Sequence, residues 1–367
     1  MTSIRVLLLA GTLTLLVGCN LAHSDVNLFS LRALPLEFET PWQVVVPSLQ
    51  SGSVAALCSS GRGKVENVTV TRFLVGDNRL TADLSIPRAG VQPHPKLLLM
   101  DNRLLTSGRD STKEGADYWK RKSIIFELVQ PDSGEVRDIT PTNLDETTMW
   151  RGVCGPPMLW TDTFGLALFI ADADAREIHL WQGRETLKLV QIVLSSLALG
   201  ETFVAGVLTR VVVTDDGEAL VYDYDTGRMK ESPEHQALAA HIAEAAARTD
   251  RWPLSFVMAE DIAAFKWGQG AVFVLLAADG SRQTIRRRDP FEERPDGSRR
   301  SRKEGEALSL DQPKAIETFT EEARATPPEI VSNSSVLVPV DEKRIGILDL
   351  FYQRLVVIGP PEVKSEQ

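Results

Sequence analysis

Five histidines, three cysteines and a set of turn aspartates are the residues whose types could do chemistry in this 367-residue chain. Their spacing restricts what that chemistry can be. His94 sits between prolines in Gln92-Pro93-His94-Pro95, a loop sequence, and His23 lies in a polar N-terminal stretch. His179 alternates with Ile178 and Leu180, which places it on the open side of a strand. His235 and His241 fall on one predicted helix but six positions apart, about 240° around it, so they cannot share a metal ion. His241 and Glu244 do share a face, as a surface pair. Asp223-Tyr224-Asp225-Thr226-Gly227 puts carboxylates at alternate positions, an arrangement that suits calcium. The glycine comes one position early for the twelve-residue calcium loop, however, and no glutamate stands at the twelfth place. Asp172 and Asp174 raise the same question without a glycine, and turn formation is the expectation for both. The chain has no Gly-x-Ser-x-Gly, Ser-x-x-Lys, His-Glu-x-x-His or Cys-x-x-Cys, and no phosphate-binding glycine loop. We therefore expect no catalytic set, no metal site and no cofactor.

The cysteines say more about location. Arg5 precedes an apolar run, Val6 to Leu15, which ends in Leu16-Val17-Gly18-Cys19. A positive start and a short apolar stretch ending in small residues is the secretory pattern, too short for a permanent bilayer span. The four residues resemble the lipobox of bacterial lipoproteins. That resemblance implies cleavage before Cys19, which then carries the acyl chains, and residues 1–18 as a signal peptide. Asn20 follows where, in the sorting of such proteins, an aspartate would favour inner-membrane retention. The resemblance thus leans towards an outer-membrane anchor facing the periplasm. Residues 19–30 read as a polar lipidated tether.

With Cys19 acylated, Cys58 and Cys154 remain as an even pair in an oxidising compartment, where a disulfide can persist. Closing a loop of about 100 residues contributes up to roughly 4.7 kcal/mol in the chain-entropy model. Two buried free thiols are the competing reading.

The chain carries 40 Lys and Arg against 50 Asp and Glu, a formal charge of −10, so no nucleic-acid partner is expected. Basic residues concentrate in 282–306, with Arg286, Arg287, Arg288, Arg299 and Arg300, interleaved with Asp, Glu, Pro and Gly. This stretch reads as a mobile loop. Its guanidinium forks could take an anionic ligand, such as a lipid or lipopolysaccharide head group beside a lipid anchor. Trp150, Trp160, Trp181, Trp252 and Trp267 could line a groove, but core filling is the expected role.

The elements that must position these residues are short strands separated by Asp/Gly turns. Val68 to Val75, Gly76-Asp77-Asn78 and Leu80 to Ile86 read as a hairpin. Similar runs cover 123–129, 136–139, 165–171, 178–181, 211–213, 219–224, 271–278, 335–340, 344–350 and 354–358. Turns at Asp132, Asp174, Asp225 and Asp279 recur at a spacing close to the 40–50 residues of a four-stranded propeller blade. Ala219 to Arg228 looks like the propeller element in which a strand ends in an Asp-x-x-Thr-Gly turn. The expected fold is all-β, a β-propeller of about six to eight blades over residues 31–360, with 361–367 as a tail. The alternative is two β-sandwich-type domains. Ser232-Pro233-Glu234 opens one inserted helix, 233–248, with Leu238, Ile242 and Ala245 on its apolar face.

Without a catalytic set, a lipid-anchored module that binds or scaffolds an envelope protein partner is the expected function. The alternative is a periplasmic hydrolase acting on a cell-wall or sugar polymer through carboxylates such as Asp172, Asp215 or Asp223.

Overall fold

A computed structural model describes residues 28–36, 42–46, 48–60, 67–89, 96–100, 103–109, 124–130, 135–139, 158–160, 165–172, 175–224, 226–230, 232–267, 271–288, 326–333, 335–349 and 352–360. The chain is mostly β, built as successive antiparallel meanders. The first strand, β1 (Ser30–Pro35), leaves its sequence neighbours for the opposite end of the chain. Next, β2 (Trp42–Val46), β3 (Ser53–Ser60), β4 (Asn67–Val75) and β5 (Leu80–Ala89) pair in order as a four-stranded sheet. A second such sheet holds β6 (Lys96–Met100), β7 (Arg103–Arg109), β8 (Ile124–Gln130) and β9 (Glu135–Asp138). A third holds β10 (Met158–Trp160), β11 (Gly165–Asp172), β12 (Glu177–Gly183) and β13 (Lys188–Val193).

Two further meanders share one sheet. The first is β14 (Ser196–Val204), β15 (Val207–Thr214), β16 (Ala219–Asp223) and β17 (Met229–Lys230). After the helix α1 (Gln236–Ala247) comes β18 (Leu254–Met258), β19 (Ile262–Trp267), β20 (Val272–Ala277) and β21 (Arg282–Arg288). The leading strands β14 and β18 pair in parallel and so join the two sets, while β22 (Ile330–Ser332) adds in parallel to β21. The last sheet holds β23 (Ser335–Pro339), β24 (Ile345–Asp349), β25 (Arg354–Gly359) and then β1, with Ser30 opposite Gly359 and Pro35 opposite Arg354.

The hydrophobic effect stacks these sheets face to face. Phe126 and Leu128 of β8 are buried with Leu168 and Leu180 of the third sheet and Phe203 and Tyr222 of the next. Val257 and Phe273 pack against Ile347 and Val356, and Leu348 and Leu355 against Val54 and Phe73. Packing of this kind joins the second sheet to the third, the third to the nine-stranded sheet, the nine-stranded sheet to the last, and the last to the first. At one end, the turns that follow the leading strands meet. The Gly206 amide donates to the Glu342 carboxylate at 2.5 Å, Glu260 to the Glu342 carbonyl at 2.6 Å, and Gly52 to the Val340 carbonyl at 2.7 Å.

The α1 helix forms because its apolar face has somewhere to go. Leu238, Ile242 and Ala245 are fully buried with Val211, Phe256 and Leu276, on one face of the nine-stranded sheet. Gly217, at φ +81°, allows this approach, since a Cβ there would lie 2.9 Å from the Ala240 backbone. The entry differs in detail from the sequence reading. Pro233–His235 is a 3-10 turn before the α-helix, and the Ser232 hydroxyl is hydrogen-bonded with the His235 ring rather than capping an amide.

Two expectations need correction. The stretch 282–306 is not a loop throughout, because residues 282–288 are β21. Ile285 opposes Phe273 and is completely buried, and that burial holds the arginine-rich segment in the sheet. The aspartate turns are also not one repeating feature. Asp132, Asp225 and Asp279 each fall between the third and fourth strands of a meander, whereas Asp174 falls between the second and third. Cys19, Cys154, Arg299, Arg300, the tether up to residue 27 and the tail from 361 lie outside the described residues. Cys58 lies in β3, opposite Thr69 and Trp42. No helix among the described residues is long and apolar enough to cross a membrane.

Candidate functional site

Strand alternation divides the three consecutive arginines of β21. Arg286 and Arg288 are exposed on one face, and Arg287 shares the opposite face with the buried Ile285. Across the sheet, Ile285 opposes Phe273 and Phe273 opposes Lys266 of β19, so Lys266, Phe273 and Arg287 stand on one face. The Lys266 Nζ is 5.9 Å from the centroid of the Phe273 ring, and the Arg287 Cζ is 5.3 Å from the same centroid. Arg251, in the connection between α1 and β18, is close enough to act on both electrostatically. All three lie at the ends of their elements, away from the turn cluster around Glu342.

These like charges perturb one another. Partial burial lowers the Lys266 pKa below its ordinary value, and the Arg287 and Arg251 guanidiniums lower it further. Burial likewise lowers Arg287, with Asp349 acting in the opposite sense and Arg251 in the same sense. Arg287 also donates to the Asn333 carbonyl. Asp349 is turned to other work. It is fully buried and accepts from the Ser332 amide at 2.9 Å, the Ser332 hydroxyl at 2.6 Å and the Tyr352 amide at 3.2 Å, with Arg354 Nε at 3.9 Å. Among the described residues, the Lys266 ammonium has no carboxylate or hydrogen-bond partner, only the Phe273 ring.

The carboxylates considered for hydrolysis do not converge. Asp223 is buried and ion-paired to Lys230, while its backbone closes the following turn with Arg228 and Gly227. Asp215 is exposed in the turn at the other end of the β15–β16 hairpin. Asp223 opposes Thr209, six residues before Asp215, so the two stand about 20 Å apart at roughly 3.3 Å per residue. That exceeds the roughly 5–9.5 Å of a two-carboxylate glycosidase. Asp172 ends β11 opposite Glu177.

The histidines are engaged locally. His179 pairs with Glu177 at 2.9 Å on the strand surface. His235 is buried between the hydroxyls of Ser232 and Thr202, the latter at 3.4 Å. Among the described residues, no three His, Cys, Asp or Glu side chains group as metal ligands. Trp252 donates to the Ser196 carbonyl at 2.5 Å, and Trp267 meets Phe265 edge to face at 5.9 Å. Both pack against buried clusters, as does Trp181.

One charged network is largely internal and was not anticipated from sequence. Arg210 of β15 is 1% exposed, directly opposite Glu201 of β14. Its guanidinium donates to Glu201 Oε1 at 3.0 Å and to the Tyr224 hydroxyl, which itself donates to Glu201 Oε1 at 2.9 Å. The rings of Phe169 and Tyr224 flank it at 5.6 and 5.5 Å. Lys266 and Arg251 were missed as well. Each is a single basic residue in its own segment, and only strand register brings Lys266 beside Arg287.

No family model matches this sequence, and no curated protein matches it. Among solved structures, the chain is similar to one in a crystal structure of a nidogen/laminin complex, at 11% identity and a TM-score of 0.33. The match covers 70% of this chain and 93% of that one.

Proposed function

We propose that this chain is a lipid-anchored protein of the bacterial cell envelope whose body is a six-bladed β-propeller serving as a binding module. The observation that carries the reading is the order of the sheets. Six successive four-stranded sets follow the chain, and the sixth is completed by β1 from the N-terminus. The parallel β14–β18 pairing fits leading strands that lie side by side around an axis. A closed ring of rigid sheets presents its connections at two ends, where a partner can be held without any moving part. The turns meeting around Glu342 occupy one end, which leaves the end bearing Lys266, Arg251 and Arg287 for the partner.

Anchoring rests on Leu16-Val17-Gly18-Cys19, and Asn20 favours the outer membrane facing the periplasm. A Cys58–Cys154 disulfide would tie the first sheet to residues just before the third. The partner is an envelope protein or an anionic component of the envelope. Two measurements test the proposal. Wild-type protein should fractionate with membranes and the Cys19→Ala variant with the soluble fraction; a variant still in the membrane overturns the anchor. Photocrosslinkers placed at Asp250 or Ala271, exposed positions beside Arg251 and Arg287 at the cationic end, should capture a discrete partner in intact cells. If the same partner is captured equally from the Glu342 end, binding through the cationic end is wrong.

A further inference from the structure

We infer that Lys266, Arg287 and Arg251 form a binding site for a phosphate group, held at the cationic end of the β18–β21 meander beside the Phe273 ring. The inference deepens the binding reading by naming the chemistry of what is bound, and it does not depend on lipidation. Three separate elements contribute one cation each: β19, β21 and the connection after α1. Two of them stand over the same buried ring, within 5.9 and 5.3 Å of its centroid. Packing alone does not require this, since a methionine could cover Phe273 as well as the stem of Lys266 does. What the lysine adds is a charge, placed where two guanidiniums oppose it and no carboxylate meets it among the described residues. Such an arrangement destabilises the free protein and is offset when an anion enters. Burial is the main reason the proton affinity of Lys266 is lowered, and the Arg287 and Arg251 charges add to it in the same sense.

A phosphate matches the donor set. Its oxygens can accept from several directions at once, which an ammonium and two guanidinium forks arriving from different elements can use. The group could belong to a phospholipid head or to a small soluble phosphate.

The test uses the purified full chain in a neutral detergent, melted against increasing inorganic phosphate with chloride as the ionic-strength control. The wild type should show a saturable rise in melting temperature with phosphate beyond that with chloride. Lys266→Met should melt at or above the wild type without phosphate and bind phosphate at least tenfold more weakly. Arg251→Gln, an exposed change that spares the core, should weaken the response in the same way. The double variant Arg286→Gln/Arg288→Gln, on the opposite face, should respond as the wild type does. A wild type with no saturable phosphate response overturns the site. So does a Lys266→Met or Arg251→Gln protein that responds normally, or a loss of response confined to the Arg286/Arg288 variant. Short-chain phosphatidic acid, with the matching diacylglycerol as control, separates the sources. A shift larger than that from inorganic phosphate assigns a lipid head group, and an equal shift assigns a free phosphate.

Discussion

Replacing Glu201 by alanine should be among the most damaging single changes away from the apolar core. The side chain neutralises Arg210, which is 1% exposed, and its Oε1 accepts from both Arg210, at 3.0 Å, and Tyr224, at 2.9 Å. Removing the carboxylate of a buried ion pair costs about 3–5 kcal/mol, because the remaining charge has been taken from water without its counter-charge. The Glu201 side chain is 14% exposed, so water can reach the vacated position and the lower half of that range is expected. Even about 3 kcal/mol is a large share of a typical stability of about 5–15 kcal/mol. Urea unfolding followed by near-UV circular dichroism would measure it. The informative comparison is the triple variant Glu201→Met/Arg210→Met/Tyr224→Phe, which removes these three polar groups while keeping the volume. If the loss in Glu201→Ala comes from an uncompensated charge, the triple variant should be clearly more stable than the single one. A triple variant as unstable as Glu201→Ala would refute that reasoning and make the network itself the source of stability.

Two further outcomes follow from buried groups. The Tyr222 hydroxyl is pushed up to about 12 by burial, against an ordinary value of 10.0, with its bond to Gln191 acting the other way. Between those values the unfolded chain loses this proton and the folded chain keeps it. Stability must therefore fall as pH rises through the window, by up to about 2.7 kcal/mol from this group at about 1.36 kcal/mol per unit. Tyr224 and Tyr352 are raised too, so the decisive measurement is the difference between wild type and Tyr222→Phe, whose decline above pH 10 should be shallower. Gly200→Ala should cost about 1–3 kcal/mol by overpacking, since its Cβ would lie 2.4 Å from carbons of the buried Phe256 ring. Combining it with Phe256→Leu should recover part of the loss in the same urea assay, and an additive double variant would count against the clash.

About half of the strands could be read from the sequence, because their signals are local. The hairpin read from Val68 to Ile86 is β4 and β5, and the turn glycines at 217, 227 and 280 have the positive φ that such turns need. The helix was legible for the same reason, since Leu238, Ile242 and Ala245 mark its buried face within three turns. Arg282 to Arg288 misled because arginine content is a compositional cue. What decides its structure is one isoleucine that finds Phe273 across the sheet, a tertiary fact. The cationic cluster was only one-third visible. Arg287 belongs to a conspicuous run, but Lys266 and Arg251 become its neighbours only through pairing register and a connection after a helix. The Arg210–Glu201–Tyr224 network was hidden in the same way, since nothing in a β-strand sequence distinguishes an inward arginine from an outward one until its partner strand is placed.

The pairing of β1 with β25 has a consequence for how the molecule is made. In a chain that emerges N-terminus first, β1 comes out before every other described strand, yet the strand it pairs with comes out after all of them. Until then the apolar side chains of β1, with Leu34 eventually buried at 1% exposure, have no partner surface. The final sheet therefore cannot form progressively, and the slow closing contact joins the first and last of the described strands. A chain truncated anywhere before β25 would lose that closure and leave an open sheet edge exposed to neighbouring chains, a ready site for aggregation. Quality control of this protein would thus turn on β25 as much as on β1.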